Sequence, residues 1–255
     1  MSSVAAVAAN GYDGVRPGAL AATLRVPAVH VYESVPSTLD VAHELGARGA
    51  ESGTLVLADM QTAGRGRGGK RWASAPGAGI WMTLVERDVD AAVIELLALR
   101  LGLAAASALD AFVDDTVRVK WPNDLYAASG KLAGILVEAR WRGGAPEWVA
   151  VGLGLNVRLP PDVPNASALR AGSSRVDVLR ALVPALRDVL ARRGALDAAE
   201  LRELERRDMS RGRRVDQPGT GTVEGVSESG ELLVRTAGGS LDRYRAGSLV
   251  FSEGS

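Results

Sequence analysis

The sequence predicts an α+β fold: a mixed β-sheet with flanking helices, followed by a small C-terminal β-barrel. Three observations predict it. Between Val29 and Arg207, short apolar runs of strand type are interleaved with stretches of helical period. Near Met209 the pattern changes to short apolar runs separated by glycine turns, the spacing of a barrel of the SH3 kind. With 255 residues, 47% of them hydrophobic, the chain can bury one large core and a smaller one. Mixed strands and helices followed by a β-only tail give the α+β assignment. The expected division is an N-terminal arm over 1–28, a main domain over 29–208 and a β domain over 209–255.

Each element has a local reason. Residues 1–28 are rich in Ala, Gly and Pro without a clear amphipathic period, which reads as a loose arm holding at most a short helix. Val29–Glu33 reads as a strand. Ser34–Thr38 is a turn with capping residues, and Leu39–Arg48 follows as a helix. Thr54–Ala58 is the next strand. Gly79–Val85 is another, with Ile80, Met82 and Leu84 on one face. Ala91–Phe112 is a long helix, interrupted by Glu95, Arg100 and Asp110, and those charges favour a core helix over a membrane span. Val117–Trp121 is a strand ended by Pro122, and Tyr126–Gly130 reads as a turn. Leu132–Trp141 and Glu147–Leu155 can pair as a hairpin around Arg142–Pro146. Val176–Arg193 and Ala198–Arg207 read as helices. Gly219–Val226, Leu232–Thr236, Leu241–Tyr244 and Leu249–Phe251 supply the strands of the tail.

Composition removes several classes of chemistry. The 30 basic and 30 acidic side chains cancel, so no global field recruits nucleic acid or anionic membrane, and any anion site must be local. Cysteine is absent, which excludes disulfides, thiolate metal sites and cysteine nucleophiles. Two histidines, His30 and His43, make a zinc site or a histidine-based triad a poor expectation. Neither lies in a motif, so both read as surface or satisfied polar residues. Trp121, Trp141 and Trp148 read as core, and Asp114-Asp115 as a solvated loop. Met1–Asn10 lacks a basic n-region and does not read as a signal peptide, so a cytoplasmic protein is the default.

The local anion site is Gly64-Arg65-Gly66-Arg67-Gly68-Gly69-Lys70-Arg71-Trp72. Glycines let a backbone approach a ligand, consecutive N–H groups can form an anion nest, and arginine offers a planar fork to phosphate or carboxylate oxygens. Trp72 adds a flat face for a heterocycle. The run reads as a clamp for an anionic, phosphorylated ligand, mobile until a ligand orders it. Other readings compete. Gly64-x-Gly66-x-x-Gly69 matches a dinucleotide fingerprint, but Trp72–Gly77 is not a helix start. Gly64-x-x-x-x-Gly69-Lys70 resembles a P-loop, but Arg71 replaces the Ser or Thr that would bind magnesium. By composition alone the run is a solvated linker, and its cations could also serve a nucleic-acid-binding module, which zero net charge and few aromatics oppose.

Gln61-Thr62-Ala63-Gly64-Arg65-Gly66-Arg67 with Trp72 resembles the biotin-binding loop of biotin protein ligases. Lys120-Trp121-Pro122-Asn123-Asp124, Lys131-Leu132-Ala133-Gly134-Ile135-Leu136-Val137-Glu138 and Gly152-x-Gly154-x-Asn156-Val157 match the same family in the same order. The resemblance runs from about Val29 to Phe251. It implies a class II synthetase-like catalytic domain with an SH3-like C-terminal domain. The implied activity is ATP-dependent ligation of biotin, through biotinyl-5′-AMP, to a lysine of the biotin carboxyl carrier domain of an acyl-CoA carboxylase. The substrates would be ATP and biotin with Mg2+. The related alternative is a lipoate or octanoate ligase or transferase. Some biotin ligases carry an N-terminal operator-binding module, and the segment before Val29 is too short and too poor in bulky apolar residues for one. No DNA or membrane partner is expected, and the protein is expected to be a monomer or weak homodimer.

The resemblance also assigns residues. Lys131 bridges the biotin carboxylate and the α-phosphate; without it, a lysine at a strand start is an ordinary edge residue. Arg67 retains the adenylate, and Asp124 sits near the reacting groups, where binding magnesium and orienting Lys131 both remain open. Read alone, Lys120–Asp124 is a proline turn with Asx bonds. The biotin set is Ser37, Thr38, Leu39, Gln61, Gly64, Arg65, Gly66, Arg67, Lys131, Gly134, Gly152 and Gly154. Leu39 replaces the family Asn, and Ser37 doubles as a helix cap. The ATP set is Arg67, Lys70, Arg71, Trp72, Asn123, Lys131 and Asn156. The alternating glycines 152 and 154 share one strand face, which reads either as a bulge or as room for a ligand.

Overall fold

The computed structural model describes residues 6–8, 11–128 and 130–252. An eight-stranded sheet runs in the order β1-β2-β3-β4-β8-β7-β6-β5. Its strands are β1 (Ala6–Val7), β2 (Val29–Val35), β3 (Thr54–Gln61), β4 (Gly79–Glu86), β5 (Arg118–Lys120), β6 (Asp124–Ala127), β7 (Gly130–Arg142) and β8 (Ala145–Asn156). The β2–β3 pair is parallel and the others are antiparallel, so the sheet is mixed.

The two faces of this sheet are covered differently. Leu55, Leu57, Ile80, Met82, Leu84, Val151, Leu153 and Leu155 join one large apolar core. The helices that pack on this face are α1 (Pro17–Leu24), α3 (Ile94–Leu109), α4 (Arg175–Leu190) and α5 (Ala198–Arg207), all of which contribute residues to that core. On the opposite face Val56, Val85, Trp148 and Ala150 form a small second cluster with Leu39 and Ala42 of α2 (Thr38–Ala47). The part of that face that α2 leaves free is the candidate site.

Helix boundaries follow from capping. The Ser37 hydroxyl accepts the Leu39 N–H and starts α2; Ser174 does the same for Asp177 at the start of α4. Asp197 and Glu200 form a reciprocal capping box on α5. The expected long helix Ala91–Phe112 is α3 flanked by a 3₁₀ turn at each end. It is long and apolar enough to cross a membrane by composition, and 61% of that window is buried inside the protein.

Four expectations are corrected. The segment 11–28 is not a loose arm: Tyr12, Leu20 and Leu24 are buried in the main core, and β1 pairs with β2. Residues 1–5 and 9–10 of the expected arm lie outside the described residues. β4 is buried on both faces, because it is a central strand whose second face α2 covers in part. Asp124–Ala127, in part read as a turn, forms strand β6 between β5 and β7. Trp141 is 48% exposed near the tip of the β7–β8 hairpin, whereas Trp121 and Trp148 are buried.

The tail folds as a second, antiparallel sheet in the order β12-β11-β10-β9-β13. Its strands are β9 (Arg214–Gln217), β10 (Gly221–Val226), β11 (Leu232–Arg235), β12 (Leu241–Tyr244) and β13 (Val250–Phe251). β9 was not anticipated, because one apolar residue, Val215, marks its buried side. The two parts meet where the Trp121 indole N–H donates to the Gly230 carbonyl at 2.9 Å.

Candidate active site

The floor is built from glycine. Gly134 of β7 faces Gly154 of β8, and Leu136 faces Gly152. On the other side Trp81 pairs with Gly154 and Thr83 with Gly152. The β4–β8 register is regular from Val149 to Asn156, so these glycines do not mark a bulge. They provide room. A Cβ at Gly154 would lie 2.7 Å from the Trp72 indole, and one at Gly134 3.1 Å from it. A Cβ at Gly152 would lie 3.1 Å from Leu39 Cγ. Trp72 therefore lies flat on the floor, edge-on to Trp81 with ring centroids 6.5 Å apart.

One end of the pocket is lined with neutral hydrogen-bonding groups. The Thr83 hydroxyl donates to Thr38 Oγ1 at 2.8 Å, and Thr38 Oγ1 donates to Gln61 Oε1 at 3.2 Å. The same Oε1 accepts the Thr38 N–H at 2.8 Å. Gln61 Nε2 donates to Ser74 Oγ at 2.9 Å, and Ser74 passes a bond to the Trp72 carbonyl. The chain has one direction and fixes the Gln61 amide. Ser37, Thr38 and Thr83 are buried.

The other end is cationic. Where β7 meets β6, Leu125 pairs with Ala133 but Tyr126 pairs with Lys131, so β7 carries one extra residue. This bulge brings Lys131 onto the side of Gly134: its Cε lies 3.6 Å from the position of a Gly134 Cβ. Lys131 Nζ is 2.8 Å from Asp124 Oδ1 and 5.1 Å above the Trp72 ring. Its backbone is braced by bonds to Asn165 and Ser167, and Asn156 Nδ2 donates to its carbonyl at 3.2 Å. Lys70, Arg71, Arg67 and Lys120 line the same pocket. Burial pushes the Lys120 ammonium below its ordinary range, against the pull of Asp124. Burial likewise lowers Arg67, partly offset by Asp124.

The Gly/Arg run is folded on itself. Trp72 N–H donates to the Gly64 carbonyl at 2.9 Å and Gly66 N–H to the Lys70 carbonyl at 2.7 Å. Gly68 and Gly69, at φ 65° and 75°, make the turn. The run holds a single 3₁₀ turn, Arg67–Gly69, and no helix follows the last glycine, so neither dinucleotide fingerprint nor P-loop geometry is present. Arg65 reaches Asp40 and Glu138, while Arg67 donates to the Gly247 carbonyl of the C-terminal sheet.

The pocket thus gathers Ser37, Thr38, Leu39, Gln61, Arg65, Gly66, Arg67, Lys70, Arg71, Trp72, Asn123, Asp124, Lys131, Gly134, Gly152 and Gly154 of the sequence reading. Gly64 and Asn156 stand behind it. Gly64 is where a Cβ would strike the Trp72 carbonyl at 2.6 Å, and Asn156 spends its amide on the carbonyls of Lys131 and Ser167. Asn123 donates inward to the Ile135 carbonyl at 2.9 Å. Sequence reasoning missed Thr83 and Ser74, whose roles arise from strand register and loop closure. It also missed Lys120, visible in its motif, and Ser248 and Leu249, which arrive from the C-terminal sheet with no local signal.

A sequence model of the biotin/lipoate A/B protein ligase family matches residues 31–156, which carry most of this pocket. A biotin--[acetyl-CoA-carboxylase] ligase of Paracoccus denitrificans is 33% identical over 219 residues, 76% of this chain and 88% of that one. The chain belongs to the biotin/lipoate A/B protein ligase family. A second relative is the bifunctional ligase/repressor BirA of Bacillus spizizenii. It is 39% identical over 134 residues, and the match spans 52% of this chain but 41% of that longer protein. The biotin protein ligase of Aquifex aeolicus, solved in complex with biotin and ATP, superposes with a TM-score of 0.75 at 26% identity. That likeness covers 88% of this chain and 99% of the Aquifex chain.

Proposed function

We propose that this protein joins biotin to ATP to form biotinyl-5′-AMP, then transfers the biotinyl group to a lysine of a carrier domain of an acyl-CoA carboxylase. One observation carries the reading. A single glycine-floored pocket has neutral hydrogen-bonding groups at one end and converging cations, centred on Lys131, at the other. That polarity suits a long acid with a polar, uncharged head and a carboxylate tail that must meet a phosphate.

The chemistry requires this arrangement. Amines do not displace oxide from a free carboxylate. In the first step a carboxylate oxygen attacks the α-phosphorus, the bond to the bridging oxygen breaks, and pyrophosphate leaves. In the second, the lysine amine attacks the acyl carbon, AMP leaves and the amine loses a proton. Both reactants of the first step are anions. Lys131 neutralises them as they meet and stabilises charge at phosphorus, while Asp124 holds its ammonium in place. Arg67, Lys70, Arg71 and Lys120, which line the same pocket, would receive the phosphates. Thr38 and Gln61 take the polar head. The loop and Trp72 cover the mixed anhydride and exclude water.

Among the described residues no group of three or more His, Asp or Glu side chains could hold a metal ion. Mg2+ would enter on the nucleotide, bound mainly by its phosphate oxygens. The related reading, lipoate or octanoate activation, would leave the Thr38–Gln61 end without a partner. ATP–pyrophosphate exchange with biotin, lipoate and octanoate in turn tests the proposal. Exchange should require biotin; exchange with lipoate or octanoate and none with biotin would overturn it.

A further inference from the structure

His43, which lies in none of the motifs, has both ring nitrogens engaged. The Trp148 indole N–H donates to Nδ1 at 3.0 Å. An indole nitrogen can only donate, so Nδ1 carries the lone pair and the ring proton sits on Nε2. That N–H points at Glu138 Oε2, 2.8 Å away. The same carboxylate oxygen meets Arg65 Nη2 at 3.3 Å, and Arg65 also pairs with Asp40 of α2. Trp148 itself is closely packed. It is buried, a Cβ at Gly46 would come within 2.7 Å of its Nε1, and Arg87 lies over its ring at 5.9 Å. A directional chain thus runs from a closely packed indole through His43 and Glu138 to Arg65.

Arg65 sits between Gly64 and Gly66, whose backbone bonds to Trp72 and Lys70 close the loop. We propose that His43 is a positioning residue: by aiming the Glu138 carboxylate at Arg65, it sets how firmly the Gly/Arg loop closes over the pocket. Glu138 is partly exposed, so without a neighbour its carboxylate would rotate freely between water and Arg65. The His43 bond, more than the charge of Arg65, is also what holds Glu138 below the usual carboxylate range. Asp40 alone would then retain Arg65. The kinetic consequence rests on the activity proposed above; the structural consequence does not.

The test is a set of variants read by hydrogen exchange over Gly64–Trp72, without added biotin, and by steady-state kinetics with biotin. His43→Leu should raise loop exchange about two- to five-fold, the range for partly exposed ion pairs, and raise the KM for biotin similarly with kcat unchanged. His43→Gln, whose amide can still donate to Glu138, should restore most of the protection. In a Glu138→Gln background His43→Leu should add nothing, because the charge it aims at Arg65 is gone. Unchanged loop exchange in His43→Leu, or an equal effect in the Glu138→Gln background, would overturn the proposal. If the wild-type protein makes no adenylate yet the exchange pattern follows expectation, the catalytic reading fails and the positioning role stands.

Discussion

The two faces of the eight-stranded sheet use alternate residues of the same strands, yet they solve opposite problems. On β8, Val149, Val151, Leu153 and Leu155 face the main helical core, while Trp148, Ala150, Gly152 and Gly154 face α2 and the pocket. One face fills space with branched side chains. The other empties it, so that Leu39 and Trp72 can lie on backbone. The difference teaches that one strand can carry stability and chemistry at once, because a period of two separates them.

Substitutions on the two faces should therefore break different things. Lys131→Ala carries the largest expected effect on chemistry, a loss of about a hundred- to a thousand-fold in biotin-dependent pyrophosphate exchange. Its side chain is partly exposed, so the thermal midpoint should hardly move. Leu155→Ala, on the helical face and away from the pocket lining, should do the reverse. Opening a cavity there costs about 2–5 kcal/mol in chemical denaturation, and the KM for biotin of the folded fraction stays near that of the wild type.

Gly154→Ala sharpens the contrast, since it adds one methyl to the same strand on the opposite face. The new Cβ would meet the Trp72 indole at 2.7 Å, so the ring must shift off the floor. Overpacking of about 1–3 kcal/mol predicts a rise of roughly ten-fold or more in the KM for biotin. A KM unchanged by this substitution would mean that Trp72 does not seat the ligand. Thr83→Val is milder. It removes the donor that sets Thr38, and about 1 kcal/mol, or a five-fold weaker affinity for biotin by calorimetry, is expected.

The legible parts of the sequence were those where one residue type has one local job. Ser37 as a cap, the glycine pair 152 and 154 on one face, and the proline that ends β5 were all readable from spacing. The pocket cations fall in three motifs, the Gly/Arg run, Lys120–Asp124 and Lys131–Glu138. Illegible were features decided by a distant partner. Thr83 looks like any strand threonine until β4 register sets it beside Thr38. Tyr12, Leu20 and Leu24 lie in a small-residue segment, and their burial depends on α4 and the sheet being there to receive them. Asn156 sits in a motif that suggests ligand contact, yet its amide N–H groups donate to the backbone carbonyls of Lys131 and Ser167. His43 reads as an isolated polar residue because its two partners, Glu138 and Trp148, are 95 and 105 positions away.

The smallest expected effect belongs to the helical side, where charge is used for packing. Arg207 of α5 is buried, and its guanidinium is held by Asp110 at 2.6 Å, by Glu203 at 2.5 Å and by the Val117 carbonyl at 2.7 Å. Hydrogen bonding from Arg206, working against burial and joined by Arg207, pulls the Glu203 carboxyl from 4.5 down to about 2. A depressed carboxyl stabilises the fold above its unfolded value, and that contribution disappears as pH falls from about 4.5 toward 2. Because Glu203 is a third exposed, solvent screening limits the effect to about 1 kcal/mol, or some 2–4 °C in a protein of this size. Glu203→Gln should therefore lower the midpoint slightly at pH 7 and decline less steeply in acid than the wild type. Parallel midpoint curves for the two proteins would show that Asp110 alone neutralises Arg207. In neither case should the KM for biotin at pH 7 change, because this seam lies across the sheet from the pocket.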